Sequence, residues 1–188
     1  MLKVRPFQES SNGGYCGPAS LKMVLDYYGT KKSESDLAKL CRAYKTNGVE
    51  AEDIKRAAES LAFKAVIKNN ASFSDIAKYL DKGIPVIVDW FTRGRSDYPD
   101  SEVADGHYSV VVGLDKKHIY LQDPEIGKIR KIKRDDFLKV WFDFKGDYEV
   151  AERFDLEADH RDQKIKCFSQ IKKRLSLNYW RFINGDCL

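Results

Sequence analysis

Tyr108-Ser109-Val110-Val111-Val112-Gly113-Leu114 sets apolar residues side by side, without helical spacing, and ends at the turn signal Asp115-Lys116-Lys117. A short, bounded run of this kind reads as a strand buried on both faces. Upstream, Ile84-Pro85-Val86-Ile87-Val88-Asp89-Trp90 has the same character. Downstream, Ile119 to Gln122 and Ile129 to Lys133 continue the pattern between turn residues. The second half of the chain is therefore expected to form an antiparallel sheet.

The first half has a different period. Pro18 suits the first turn of a helix carrying Leu21, Val24, Leu25 and Tyr28 on one stripe, and Gly29 ends it. Ser33 or Ser35 can cap a second helix carrying Leu37, Leu40 and Cys41. A third follows Asn47-Gly48 with Ile54, Ala57, Ala58 and Leu61 on one face. Phe63 to Ile67 reads as a short strand and Phe73 to Leu80 as a fourth helix. Helices followed by an antiparallel sheet make an α+β arrangement.

With 188 residues, 43% of them hydrophobic, the chain can bury a sizeable core. The expected division is a domain over 1–145 and an extension over 146–188. The extension is expected to pack an amphipathic helix on the domain over about Asp159 to Phe182, with Ile165, Phe168, Ile171, Leu175, Tyr179 and Phe182 as its stripe. The net charge of +4 comes from 33 basic and 29 acidic residues interleaved along the chain, which argues against a nucleic-acid partner. No apolar run reaches membrane-spanning length, and the N-terminus lacks the apolar core of a secretion signal, so a cytoplasmic location is expected. Cysteines stand at 16, 41, 167 and 187 without a CxxC pair, so neither a metal site nor a redox pair is expected. Cys41 reads as a core residue and Cys187 as incidental.

Cys16 is placed differently, between Gly13-Gly14-Tyr15 and the helix that Gly17-Pro18 opens. A helix N-terminus favours a thiolate, and small residues beside it let backbone approach a substrate. A thiol nucleophile needs a base, and the histidines are 107, 118 and 160. His118 falls in a hairpin turn and His160 in the charged stretch EADHRD, where solvated side chains are the default. His107 opens a buried strand. With a turn at 115–117, position 109 would oppose 123, which brings His107 and Asp123 to one end of the hairpin. An acid there could fix the imidazole tautomer.

Gln8, the block Tyr15-Cys16-Gly17-Pro18-Ala19-Ser20 with Asp26-Tyr27-Tyr28-Gly29, Gly83 to Val88, Gly106 to Gly113, and Tyr120-Leu121-Gln122-Asp123-Pro124 with Gly127 occur in that order. Together they resemble the C39-like branch of the papain-fold cysteine peptidases over about residues 4 to 140. The resemblance implies a papain-like fold and thiol cleavage of a peptide or amide bond in a peptide or protein substrate, with no cofactor. It also implies Cys16 as nucleophile, His107 as general base, Asp123 as orienting acid and Gln8 as donor to the oxyanion. Gly14, Tyr15 and Gly17 beside the thiol, Gly106 and Tyr108 beside the histidine, and Trp90 at the edge of the polar loop 91–106 are expected to border the substrate. Acyl transfer to another acceptor and a non-catalytic peptide-binding module are the alternative readings. Gln8 lies farther ahead of the cysteine than in bacteriocin exporters and Tyr15 replaces their acidic residue, which separates this chain from them.

Overall fold

The computed structural model describes residues 1–10, 14–43, 48–91 and 106–141, together with the backbone of 167–173. Helix α1 runs Cys16–Tyr27, α2 Glu34–Leu40, α3 Ala51–Ser60, α4 Phe73–Leu80 and α5 Arg134–Leu138. The strands are β1 Phe63–Lys68, β2 Val86–Phe91, β3 Gly106–Leu114, β4 His118–Asp123, β5 Lys128–Lys133 and β6 Cys167–Lys173. Local chemistry explains the helix starts. Ser33 accepts from the Asp36 N–H at the start of α2, and Ser72 with Asp75 forms a reciprocal capping box on α4.

The strands form one sheet in the order β1-β6-β2-β3-β4-β5. Every neighbouring pair is antiparallel. Alternate residues of β2 and β3 enter opposite cores. Ile87, Tyr108, Val110 and Val112 meet α1 and α3 residues such as Leu21, Val24, Ile54 and Ala58. Val86, Val88, Trp90 and Val111 meet Ile76 of α4, Phe137 of α5 and Trp141. Both faces are thus covered, as the continuous apolar runs require.

The strand β6 corrects the sequence reading, which expects a helix over 159–182. Cys167–Lys173 lies between β1 and β2, pairing Phe168 with both Ile67 and Ile87. The edges of β1 and β2 satisfy the backbone of this segment, so tertiary pairing overrides its helical spacing. The remainder of the expected helix and the loop 92–105 lie outside the described residues.

The β3–β4 hairpin reaches its expected register by another route. Its turn closes one residue later than expected, pairing Leu114 with Ile119, with the Asp115 side chain accepting from the N–H groups of Lys117 and His118 at 2.7 Å. A bulge then intervenes between Val111 and Gly113, after which Val111 pairs with Leu121 and Val110 with Gln122. Extending that ladder sets Ser109 across from Asp123. The N-terminal segment follows the same line: Leu2 N–H donates to the Val112 carbonyl at 2.6 Å, Gln122 Nε2 to the Val4 carbonyl at 2.8 Å, and Glu9 N–H to the Pro124 carbonyl at 2.8 Å.

Candidate active site

Cys16 is the first residue of α1 and is 8% exposed. The helix is tied to the sheet beneath it by Ser20 Oγ, which donates to the Tyr108 carbonyl at 3.1 Å. Gly17 is buried, and a Cβ there would sit 2.2 Å from Val49 Cγ1 and 2.9 Å from Ile54 Cδ1. Its missing side chain is therefore required by the packing of α3 against α1.

His107, the second residue of β3, is buried. Its Nε2 lies 2.7 Å from Asp123 Oδ1, and Cys16 is close enough to act on the same imidazole. With Nε2 engaged, Nδ1 is the ring nitrogen left for sulfur. Burial by itself would push the imidazole towards neutrality, but the hydrogen bonds and charges of Asp123 and Cys16 outweigh it and raise its pKa well above 6.5.

Asp123 is 1% exposed at the end of β4. Its Oδ1 also accepts from the Glu125 N–H at 3.0 Å, and its Oδ2 from Arg130 Nε at 2.5 Å. Arg130 Nη2 reaches Glu125 Oε2 at 3.2 Å. Burial favours the neutral acid, yet His107 and Arg130 together hold the carboxyl below its ordinary range.

The N-terminal segment brings Gln8 and Glu9 to this turn. Gln8 is exposed, and its Nε2 donates to the Glu125 carbonyl at 3.1 Å. Gly127, at φ +61°, lies against it, and a Cβ there would be 2.8 Å from Gln8 Cβ. The Glu9 pKa is pushed up to about 7, chiefly by burial, in a field shared with His107, Glu34, Asp123 and Glu125. Its Oε2 is buried and has no hydrogen-bond partner among the described residues. Glu34, in turn, accepts from the Ser10 N–H at 3.1 Å and from the Ser10 hydroxyl.

Cys16, His107 and Asp123 therefore come together, and Gln8 reaches the turn that carries Asp123. Trp90 is a correction: it is wholly buried, donates from Nε1 to Ser109 Oγ at 3.1 Å, and sets its ring edge-on to His107 at 5.3 Å between centroids. It supports the imidazole from within the core and cannot line a cleft. Tyr108, 6% exposed, is likewise a core residue beside Gly17, whereas Gly106 is exposed at the mouth of β3. Gly14 and Tyr15 precede the helix at partial exposure, and Gly13 lies outside the described residues. Cys41 is fully buried, and burial pushes its thiol up to about 12, as suits a core residue.

Arg130 and Glu9 escape sequence reading. A basic residue in the strand KIRKIK reads as solvated, and a glutamate after Gln8 carries no motif. One side-chain cluster, His107, Asp123 and Glu125, has ligand atoms within 4.8 Å of one another. It does not fit a metal ion: both Asp123 oxygens are already engaged, and Arg130 puts a positive charge beside them.

Residues 1–148 match the sequence model of the Peptidase_C39 like family. A lactococcin transport/processing ATP-binding protein, LcnC-like, from Lactococcus lactis is 31% identical over 67% of this chain, which spans 16% of that protein's length. The transport/processing ATP-binding protein ComA of Streptococcus pneumoniae is 30% identical over the same shares. An uncharacterized protein of Methanothermobacter marburgensis is 32% identical over 76% of this chain and 85% of its own length. Among solved structures, the peptidase domain of Streptococcus ComA superposes with a TM-score of 0.60 at 20% identity, covering 90% of this chain and 99% of that domain. A double glycine motif protease bound to its leader peptide gives 0.54 at 20% identity, covering 90% and 96%. Both share the α+β fold described above. Among the described residues no helix is long and apolar enough to cross a membrane.

Proposed function

The chain belongs to the Peptidase_C39 like family, and on that premise we propose that it is a cysteine peptidase that cleaves a peptide substrate through Cys16, His107 and Asp123. The observation that carries the reading is a buried imidazole held to a buried carboxylate at 2.7 Å, with Cys16, at the start of α1, acting on the same ring.

The chemistry follows from that placement. His107 takes the proton of Cys16 as the nucleophile forms, and the charged imidazole is stabilised by Asp123. The thiolate attacks the carbonyl carbon, its sulfur bonding to carbon while the C=O electron pair moves to oxygen. Gln8 is assigned to that oxyanion, since an amide carries a second N–H beyond the one given to Glu125. The imidazolium then protonates the leaving amine as the C–N bond breaks, leaving a thioester. Water, deprotonated by the now neutral His107, attacks the thioester and releases the carboxylic acid and the Cys16 thiol.

Iodoacetamide labelling followed peptide by peptide in a mass spectrometer tests the nucleophile. Cys16 should alkylate readily at pH values where a free thiol, with pKa near ~8.5, is inert. Cleavage of a peptide library by the wild type should disappear in Cys16→Ala, and identical products from both proteins would remove this reading.

A further inference from the structure

Strand β5 buries Ile132, and the alternation that does so also brings Arg130 to the inward face and leaves Ile129 outside. Ile129 is 42% exposed, while the side chain of its neighbour Arg130 is only 10% exposed. The opposite register would bury Ile129 but turn Ile132 into water and Lys131 and Lys133 inward, so Arg130 must be accommodated on the inner face. Burying a guanidinium is costly unless its donors meet charged acceptors in good geometry. Here Nε meets Asp123 Oδ2 at 2.5 Å and Nη2 meets Glu125 Oε2 at 3.2 Å. The fork ties Asp123, at the end of β4, to Glu125 within the turn that follows.

The two oxygens of Asp123 are thereby divided. Arg130 takes Oδ2, and Oδ1 is shared by His107 and the Glu125 N–H. A carboxylate can rotate about its Cβ–Cγ bond, and both oxygens are chemically alike, so the donors on Oδ1, His107 and the Glu125 N–H, could be met by either oxygen and do not by themselves fix its plane. The clamp on Oδ2 does. We propose that Arg130 is a positioning residue for the Cys16–His107 pair, aiming Oδ1 of Asp123 at the imidazole and so setting the pH range over which Cys16 is reactive. The proposal rests on the cysteine-peptidase reading.

Removing Arg130 frees the carboxylate to turn and withdraws a positive charge from the surroundings of the thiolate. Both changes make the thiolate harder to form in acid, so the rise of reactivity with pH moves upward. The test follows iodoacetamide alkylation of Cys16 from pH 4 to 9 in the full chain, as wild type, Arg130→Gln and Arg130→Lys. At pH 6, Arg130→Gln should react about tenfold more slowly than wild type, the equivalent of about one pKa unit. Arg130→Lys keeps the charge without the fork and should fall between them. An Arg130→Gln profile that superimposes on wild type, even with a lowered unfolding midpoint, overturns the proposal, because support of the fold alone would not move the profile. Should Arg130→Gln fail to fold, Arg130→Lys decides: an upward-shifted profile supports the clamp, and an unshifted one overturns it. A wild-type Cys16 that alkylates as an ordinary thiol overturns both this proposal and the peptidase reading, whereas an ion-pair profile kept intact in Arg130→Gln overturns the clamp alone.

Discussion

His107 Nε2 and Asp123 Oδ1 lie 2.7 Å apart across the β3–β4 hairpin, both side chains almost without solvent exposure. They are diagonal neighbours, since the ladder, extended one step beyond Val110 and Gln122, sets Ser109 opposite Asp123. Two opposing shifts define this pair. The Asp123 carboxyl is held below its ordinary range, so its contribution to stability is present above that range and is lost as pH falls through the lowered value. The imidazole is raised well above 6.5, so its contribution is complete below 6.5 and is lost as pH rises through the raised value. The pair should therefore stabilise the fold most in the window between the two. Asp123→Asn should flatten the unfolding free energy across that window, and should lower kcat/KM by at least about a hundredfold. Chemical denaturation at stepped pH and steady-state kinetics on a cleaved peptide check the two halves of this statement.

Trp90 carries His107 from below. Trp90→Ala should cost about 3 to 5 kcal/mol through the cavity it opens. Trp90→Phe keeps an aromatic ring but leaves the Ser109 hydroxyl without its indole partner, and should cost about 1 to 2 kcal/mol. Urea denaturation of the variants reads both values.

Gly17→Ala places a methyl group 2.2 Å from Val49 Cγ1. Overpacking of this kind costs about 1 to 3 kcal/mol. Because Gly17 adjoins Cys16, the relief of the clash should also displace the thiol. The expected result is a lowered unfolding midpoint together with slower alkylation of Cys16.

Glu9 gives a pH effect of its own. Its carboxyl is raised from 4.5 to about 7, chiefly by burial. The folded protein keeps a proton that the unfolded chain releases, so stability falls as pH climbs between those values. Allowing for solvent screening of a partly exposed group, the loss is about 1 to 2 kcal/mol. Glu9→Gln should abolish that slope and make the protein more stable than wild type at pH 8, as measured by thermal unfolding in matched buffers.

Much of this architecture is written in local signals. The bounds of α4, Phe73–Leu80, follow from an apolar stripe behind Ser72, and Ser33 marks the start of α2. Cys16, His107 and Asp123 are legible because each sits at an element boundary that turn and cap chemistry disclose. What escapes is non-local. The apolar spacing of Ile165, Phe168 and Ile171 suits a helix, and nothing near those residues reveals the strands that pair with Phe168. The inward turn of Arg130 depends on two carboxylates of the preceding turn, and the burial of Trp90 on α5 packing over it. The expected hairpin register at Asp123 holds because a late turn and a bulge offset each other, a coincidence that no residue pattern announces.

The placement of β6 also bears on the order in which the molecule can assemble during synthesis. Strands β2 to β5 follow one another along the chain and can pair as they emerge from the ribosome, since each contact is short-range. β1 emerges before all of them, yet its neighbour in the sheet is β6, the last of the described strands to be made. The nascent protein must therefore hold β1 and the exposed flank of β2 unzipped until residues 167–173 arrive. A slow final phase, and a tendency of chains stalled before that point to associate through those waiting edges, are the expected kinetic signature. Ribosome-stalled chains of graded length, probed by limited proteolysis, would locate the step.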